Sequence, residues 1–590
     1  MRIWNMARSV GLLAAFAVFG CKSLDVSNPN APNSAEILTD PTLLESVAAG
    51  TMRTWFNAYS TLDATGVLSV QARTLSSSWN NGNMNFYSGI DINPSDTTVD
   101  PSTWTRNTRS WQNDLSAAGR TSIQYIWNGM YSTISSANDA LKGIRVQNVV
   151  IGDAARTKRA ETIAQFTQAM SYATIALTYD QGYYLDEKTQ NLAALTRVSR
   201  RVLRDSALKK LDATIALANA NQFIADAGWA NGVAYSNTQI AQVANTMAAM
   251  LITFYPRDDA ETSAAGVVDW AKVASYASKG MSTGTPDTLA FVGDGCANWC
   301  QNMMPWFTDY SSGRVSTRVA HFLDPVTQLD PYPLGIGNRQ PNSPDARMGD
   351  GSFGDATIED VYENVPKDAG AGTDFAWSAG GEVFRPDRGY FQQSNIGITR
   401  WDASGNEASN GQYAGFGYSP VIIPSMNDLI WAEAKLRQND AAGASALIDK
   451  SRVGRGKLPS SASAIATPGS PADGPCMSNG KLAKDGTPCT LWSMLLYEYE
   501  IELLQMGPAP YWNQRRLPLV KATAWERATG CRTTPCTPNP NSIYNGPRYI
   551  QGLLPGTPRE MPVPASELAI KSEPFYTFGG GQPPKGTEAP

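Results

Sequence analysis

IWNGMYSTISSANDALKGI, residues 126–144, and AETIAQFTQAMSYATIALTYDQGY, residues 160–183, decide how this chain folds. In the first, Trp127, Met130, Ile134, Ala137 and Leu141 recur at alternating steps of three and four. In the second, Ile163, Phe166, Met170, Ala173 and Leu177 do the same. That period places each set along one side of an α-helix. Each stripe faces one way and the connection between them is modest, so an antiparallel helix pair is the natural way to bury both.

Working outward, the same period returns at Leu208, Leu211, Ile215 and Ala218, at Ile240, Val243, Met247 and Met250, and more briefly at Trp270, Val273 and Ala277. Asp205 and Ser236 or Asn237 are the expected caps of the first two of these. From about 283 to 418 the pattern gives way to Gly, Pro, Asp and aromatic residues. Helical signal resumes over Met426–Gln438 and Ala441–Ser451, and at Trp492, Leu496, Tyr499, Leu503 and Met506. The expected organisation is an export signal over 1–20, a helical region over 21–282, an irregular region over 283–418, a second helical region over 419–578 and a disordered tail over 579–590. The fold class is mainly α, a scaffold of helix pairs with a large loop-rich portion.

The N-terminus carries an address. Arg2 and Arg8 precede an apolar run from Val10 to Phe19, and FAVFGCKSLDVSNPN, 16–30, turns polar at Cys21. A charged start followed by a short apolar core is the layout of an export signal. The small Gly20 before Cys21 matches a bacterial lipobox, although Phe19 is bulky there. Cys21 is therefore the expected lipidated first residue of the mature chain. The remaining six of the seven cysteines fall into three close pairs, Cys296 with Cys300, Cys476 with Cys489 and Cys531 with Cys536. Local closure within each loop is the simplest pairing, other pairings staying open, and export is compatible with disulfides. The middle bridge would contribute about 3 kcal/mol by restricting the unfolded chain.

Composition narrows the function. The 590 residues carry a net charge of −5 with no Lys/Arg run, so nothing provides an electrostatic footprint for nucleic acid. Charged residues make up only 17%, while 16 Trp and 23 Tyr accompany many Asn, Ser, Thr and Gly. That mixture suits hydrogen bonding to neutral ligands. The single histidine, His321, sits between apolar neighbours and reads as a packed loop residue rather than a catalytic base. No cofactor is expected. The Asp-rich DARMGDGSFGDATIED, 345–360, has the composition of a calcium loop without the EF-hand spacing, so calcium there is the alternative to a solvated loop.

Candidate ligand contacts are aromatic and polar residues outside the helical stripes. Sugars present C–H faces that stack on flat rings and hydroxyls that bond to amides or guanidinium groups. SSSWNNGNMNFY, 76–87, supplies Trp79, Asn81, Asn83 and Tyr87, with Arg73 just upstream; CANWCQNMMPWFTDY, 296–310, supplies Trp299, Trp306 and Tyr310. A bridge between Cys296 and Cys300 would hold Trp299 on a stapled loop and lower the ordering cost of binding. Trp127, Tyr131 and Asn138, at helical spacing, read as scaffold, and Trp512 with Arg515 and Arg516 as a structural turn.

In order along the chain, Cys21 followed by LDVSNPN, the two stretches quoted first, NDLIWAEAKLRQNDAAGASALIDKSRVGRGKLP at 427–459, YEYEIELLQMGPAPYWNQRRL at 497–517 and MPVPASEL at 561–568 resemble the SusD/RagB family of outer-membrane nutrient-binding lipoproteins. The resemblance implies a helix-pair scaffold like that of tetratricopeptide repeats. It further implies a lipid-anchored protein at the outer surface of the outer membrane that binds an oligosaccharide or peptide and delivers it to a SusC-like TonB-dependent transporter, without chemistry. Two departures stand out. Asn513 occupies a place where the family tends to have Asp before the arginines, and EPFYTFGGG, 573–581, replaces the usual Asn/Pro-rich closing segment. Two other functions fit the residues: a secreted glycan-degrading enzyme using a converging pair of carboxylates, and a helical scaffold with no ligand of its own.

Overall fold

Both opening stripes lie on long helices. The computed structural model describes residues 38–77, 83–88, 108–284, 288–301, 313–328, 330, 340–351, 372–377, 393–400, 415–522 and 549–580. In these, helices α1 (Pro41–Tyr59), α2 (Thr121–Arg145), α3 (Ala154–Thr178), α4 (Arg200–Ala220), α5 (Asn237–Phe254) and α6 (Trp270–Ala277) precede the irregular region. Helices α7 (Pro424–Arg437), α8 (Ala441–Arg452), α9 (Leu491–Glu502) and α10 (Ala509–Arg515) follow it. Sequence neighbours pack side by side from α2 to α6, α6 packs on α7, and the run continues through α8 to α9. Helix pairs thus form one continuous scaffold even though more than a hundred residues separate α6 from α7.

Local chemistry sets the helix starts. The Asp40 carboxylate accepts from Thr42 and Leu43 N–H to cap α1, and Asp153 caps α3. Ser236 caps α5 in a reciprocal capping box with Gln239, as expected. The expected cap at Asp205 is corrected: α4 starts at Arg200, capped by Ser199, and Asp205 lies inside it beside Arg204. Arg197–Ser199 pairs as a strand with Gln181–Tyr183, so Ser199 is the last extended residue before the helix.

Some helices are buried on more than their stripe. Helix α3 packs against α1, α2, α4 and α5, so its Thr167, Ser171 and Thr174 are buried too. Their hydroxyls donate to carbonyls one turn back, which satisfies them without water. Helix α9 is buried along its whole length, including Glu498, Glu500 and Glu502. At about 100° per residue, Glu498 and Glu502 share one side and Glu500 the opposite one. Arg347 meets the first side, at 2.7 Å from Glu498 and 2.9 Å from Glu502; Arg318 forks onto Glu500 at 2.8 and 2.7 Å. Carboxylates this deep are tolerable only with such partners.

The chain leaves and re-enters the scaffold at one place. Asn427 at the start of α7 donates to the carbonyls of Ala277 and Met281, and Met281 N–H donates to Thr246 of α5. Gly280 has room for no side chain there, since a Cβ would lie 2.5 Å from Thr246 Oγ1. Beyond this junction, β3 (Leu289–Asp294) pairs antiparallel with β4 (Phe416–Ile422), with Gly293 opposite Gly417. A hairpin of β1 (Ile224–Ala230) and β2 (Val233–Ser236) meets β3 through its tip, where Asn231 O accepts from Val292 N–H at 2.9 Å. His321 lies in a short helix, Thr317–Leu323, rather than a loop; it is buried, with Nδ1 2.8 Å from the Gln328 carbonyl.

The last described residues close the scaffold. Met561 N–H donates to Thr178 O and its carbonyl accepts from Asp180 N–H, while Asn113 donates to the carbonyls of Val563 and Tyr576. Residues 561–580 therefore form a strap across the end of α3.

Candidate ligand-binding face

The strand pair β3–β4 ends in a loop pinned four ways. Gly295 and Cys296 both have left-handed backbone, φ 73° and 64°, which turns the chain sharply out of β3. Cys296 and Cys300 form a disulfide across four residues, with Cα atoms 4.0 Å apart. The Asp294 carboxylate accepts from Asn298 N–H at 3.0 Å and Trp299 N–H at 2.9 Å. Burial would raise the Asp294 carboxyl, yet these backbone donors outweigh it and hold the group below its usual range. Finally, Asn57 of α1 donates to the Asn298 carbonyl and accepts from Cys300 N–H. Cys296, Ala297 and Asn298 remain exposed on this braced loop.

Trp299 faces inward. Its ring packs 5.7 Å from Phe291 and 5.9 Å from Phe56, centroid to centroid, and it is buried. It braces the loop from below instead of offering a ring to a ligand. Arg73 is also inside: with φ 57° it sends its guanidinium to the carbonyls of Tyr549, at 2.6 Å, and Gly552, at 2.9 Å. Tyr87 is buried against Trp111, and its hydroxyl accepts from Gln112 N–H. These three side chains, expected as ligand contacts, are placed as structural supports because each finds partners far away in sequence. Asn83 is partly exposed, in left-handed backbone with φ 63°. Trp79, Asn81, Trp306 and Tyr310 lie outside the described residues, as do Cys21, Cys531 and Cys536. The expected scaffold residues are in the scaffold: Trp127 packs on Tyr131 and Tyr179, and Asn138 accepts from Gln168.

Cys476 and Cys489 form the second disulfide, with Cα atoms 5.6 Å apart. In the Asp-rich stretch, Asp345 is buried and committed to Arg347 at 2.7 Å and to the Tyr497 hydroxyl at 2.6 Å; residues 352–360 lie outside the described residues. Among the described residues no cluster of three His, Cys, Asp or Glu side chains is placed to hold a metal ion.

The irregular region is tied to the scaffold by charge. Arg455 of the turn after α8 forks onto Asp374, both contacts at 2.6 Å, and onto Glu502, while Arg400 reaches Glu502 at 2.9 Å. Burial alone would raise the Glu502 carboxyl, but Arg400, Arg455 and Arg347 overcome it and hold the group far below the carboxylate range. The basic turn works similarly. Arg516 forks onto Glu433 at 2.8 and 2.6 Å and also donates to Asn513 Oδ1, so Glu433 of α7 supplies the charge that Asn513 lacks. Arg515 donates to the carbonyls of Phe254 and Arg559.

A SusD homologue from Bacteroides thetaiotaomicron is similar over 93% of this chain and 99% of its own, at 12% identity and a TM-score of 0.52. A SusD-like carbohydrate binding protein from Bacteroides fragilis is similar over 90% of this chain and 99% of its own, at 14% identity and a TM-score of 0.51. This chain has the SusD-like fold. No family model matches the sequence, and no curated protein does. Within this SusD-like fold, helices α1–α9 are the frame, and the loop at the end of the β3–β4 pair is fastened to it through Phe56 and Asn57 of α1.

Proposed function

We propose that this chain is a lipid-anchored, surface-exposed outer-membrane protein that binds a glycan and delivers it to a SusC-like TonB-dependent transporter. The observation that carries the reading is the SusD-like fold, shared over nearly the full length of a solved protein described as carbohydrate binding. Three features support it. Cys21 follows an export-type apolar run, and among the described residues no helix is long and apolar enough to cross a membrane, so the lipid would be the attachment. Disulfides suit an exported chain. The stapled loop offers Asn298 from a preformed platform, which lowers the entropy lost on binding.

The protein acts by binding and release, with specificity set by Asn298 and Asn83 together with Trp79, Asn81, Trp306 and Tyr310. Purified chain lacking residues 1–20, applied to glycan and peptide arrays and followed by calorimetry on the hits, tests this. Saccharide binding without turnover is expected. Hydrolysis of a bound saccharide, or binding of peptides alone, would refute it. Co-expression with a candidate transporter tests delivery through co-purification of the pair.

A further inference from the structure

Helices α4 and α6 both pack on α5, and between them lies an open cleft of about 550 Å³. Polar side chains alternate in its lining with the apolar surface of Ile215, Ala241 and the Tyr276 ring, and its two charges balance. Asn245 of α5 is buried in its floor, where Nδ2 donates to the Ala241 carbonyl at 2.8 Å, leaving Oδ1 as the atom available to a ligand. Gln242, one turn away on the same side of α5, and Asn219 at the end of α4 also line the cleft, and among the described residues their side chains form no hydrogen bond. Across the opening, the Tyr276 hydroxyl of α6 donates to Asp212 Oδ1 of α4 at 2.6 Å, which ties the two walls together. Asp212 Oδ2 is left to accept from a ligand. Lys272 stands 5.5 Å from the Tyr276 ring centroid, steadying the ring at the cleft edge.

We propose that this cleft is a second subsite for a neutral glycan, holding one sugar unit by its hydroxyls. Each hydroxyl both donates and accepts, and only groups of both kinds satisfy it. Amides such as Asn219, Gln242 and Asn245 provide both kinds, the carboxylate accepts, and Tyr276 adds a flat ring. The charges of Asp212 and Lys279 offset each other, so the cleft has no excess charge to favour an ionic ligand. The inference rests on the reading of this chain as a glycan binder but concerns a different surface from the stapled loop. Thr238, the second residue of α5, lies in the lining just after the β1–β2 hairpin, so that end of the cleft is joined through the hairpin tip to β3.

Hydrogen exchange read by mass spectrometry separates the two surfaces. The probes are cellohexaose, maltohexaose, mannohexaose and xylohexaose, each at millimolar concentration with the purified chain. At least one should protect peptides covering 212–219, 238–245 and 275–279. Gln242→Ala, a partly exposed helix position, should remove that protection and weaken binding about tenfold if two hydrogen bonds are lost. Tyr276→Phe, which keeps the ring and removes the bond to Asp212, should weaken it less. Protection confined to 294–301 would overturn the cleft and leave the proposed function standing. Protection of the cleft alone would support the cleft and move the primary site away from the stapled loop. No protection with any of the four probes would overturn the cleft.

Discussion

Replacing Asp180 by Asn should make the protein progressively more stable as pH rises from about 4 to 7 and change it little below pH 4. Asp180 follows α3 and is buried beneath the C-terminal strap, where its Oδ2 accepts from the Tyr576 hydroxyl at 2.7 Å. Its Oδ1 is buried with no hydrogen-bond partner. Burial pushes the carboxyl up to about 7 from 3.8, and Glu560 adds to the rise against the opposing bond from Tyr576. Glu560 is itself paired with Arg257 at 3.0 Å and lies 3.7 Å from Arg200. Because the folded value lies above the unfolded one, folding favours the protonated acid. That contribution is complete below the unfolded value and is lost as pH rises toward and through 7. A rise of three units at about 1.4 kcal/mol each corresponds to about 4 kcal/mol, an upper figure because water entering the strap would relieve part of it. Asn cannot ionise, so its advantage over Asp should grow from near zero below about pH 4, through about 1.5 kcal/mol at pH 5, to about 4 kcal/mol at pH 7 and level off above that. Denaturant unfolding of both proteins at half-unit pH steps measures this, and hydrogen exchange at 561–580, after division by the intrinsic rate at each pH, should lose protection with rising pH in the parent only. A difference between the two proteins that does not vary with pH would refute the reasoning.

Cys21→Ser removes the acyl acceptor, and since each buried methylene contributes about 0.8 kcal/mol the variant should leave the membrane pellet on fractionation without its transporter. Trp306→Ala or Trp79→Ala should weaken glycan binding by about 1–3 kcal/mol in calorimetry with the melting temperature nearly unchanged. Trp299→Ala should instead cost about 3–5 kcal/mol of folding stability, because its ring fills the space between Phe56 and Phe291. Glu502→Gln leaves Arg347, Arg400 and Arg455 short of a shared partner and should cost about 3–5 kcal/mol in denaturant unfolding.

The helices of the scaffold were legible because a stripe is a local pattern, and Trp127, Met130, Ile134, Ala137 and Leu141 all lie on the buried side of α2. What failed was whatever depends on a distant partner. Trp299 in a Gly- and Asn-rich loop reads as an exposed ring, but Phe56, more than two hundred positions earlier, covers it. Arg73 reads as a polar hand beside aromatic residues, yet the carbonyls that claim it belong to Tyr549 and Gly552. The cleft was missed for the opposite reason. Asn219, Gln242 and Tyr276 each resemble an ordinary solvated position, and only the packing of three helices brings them together; the spacing of Thr238, Gln242 and Asn245 along one side of α5 was the available signal.

The buried charges explain how an irregular region can be held firmly enough to present a site. Hydrophobic packing is indifferent to small slips, whereas a guanidinium fork requires its carboxylate at a set distance and angle. Asp345, Arg347, Asp374 and Arg400 come from the irregular region; Arg452, Arg455, Glu498 and Glu502 come from α8, the turn after it and α9. Four positive and four negative groups interlock, so no member can move without leaving another charge buried and short of its partners. Hydrophobic replacements of equal volume could match the stability, but they would not fix the register in the same way. Charge thus aligns the irregular region on the helices, with Asp374 and Arg400 held to Arg455 and Glu502.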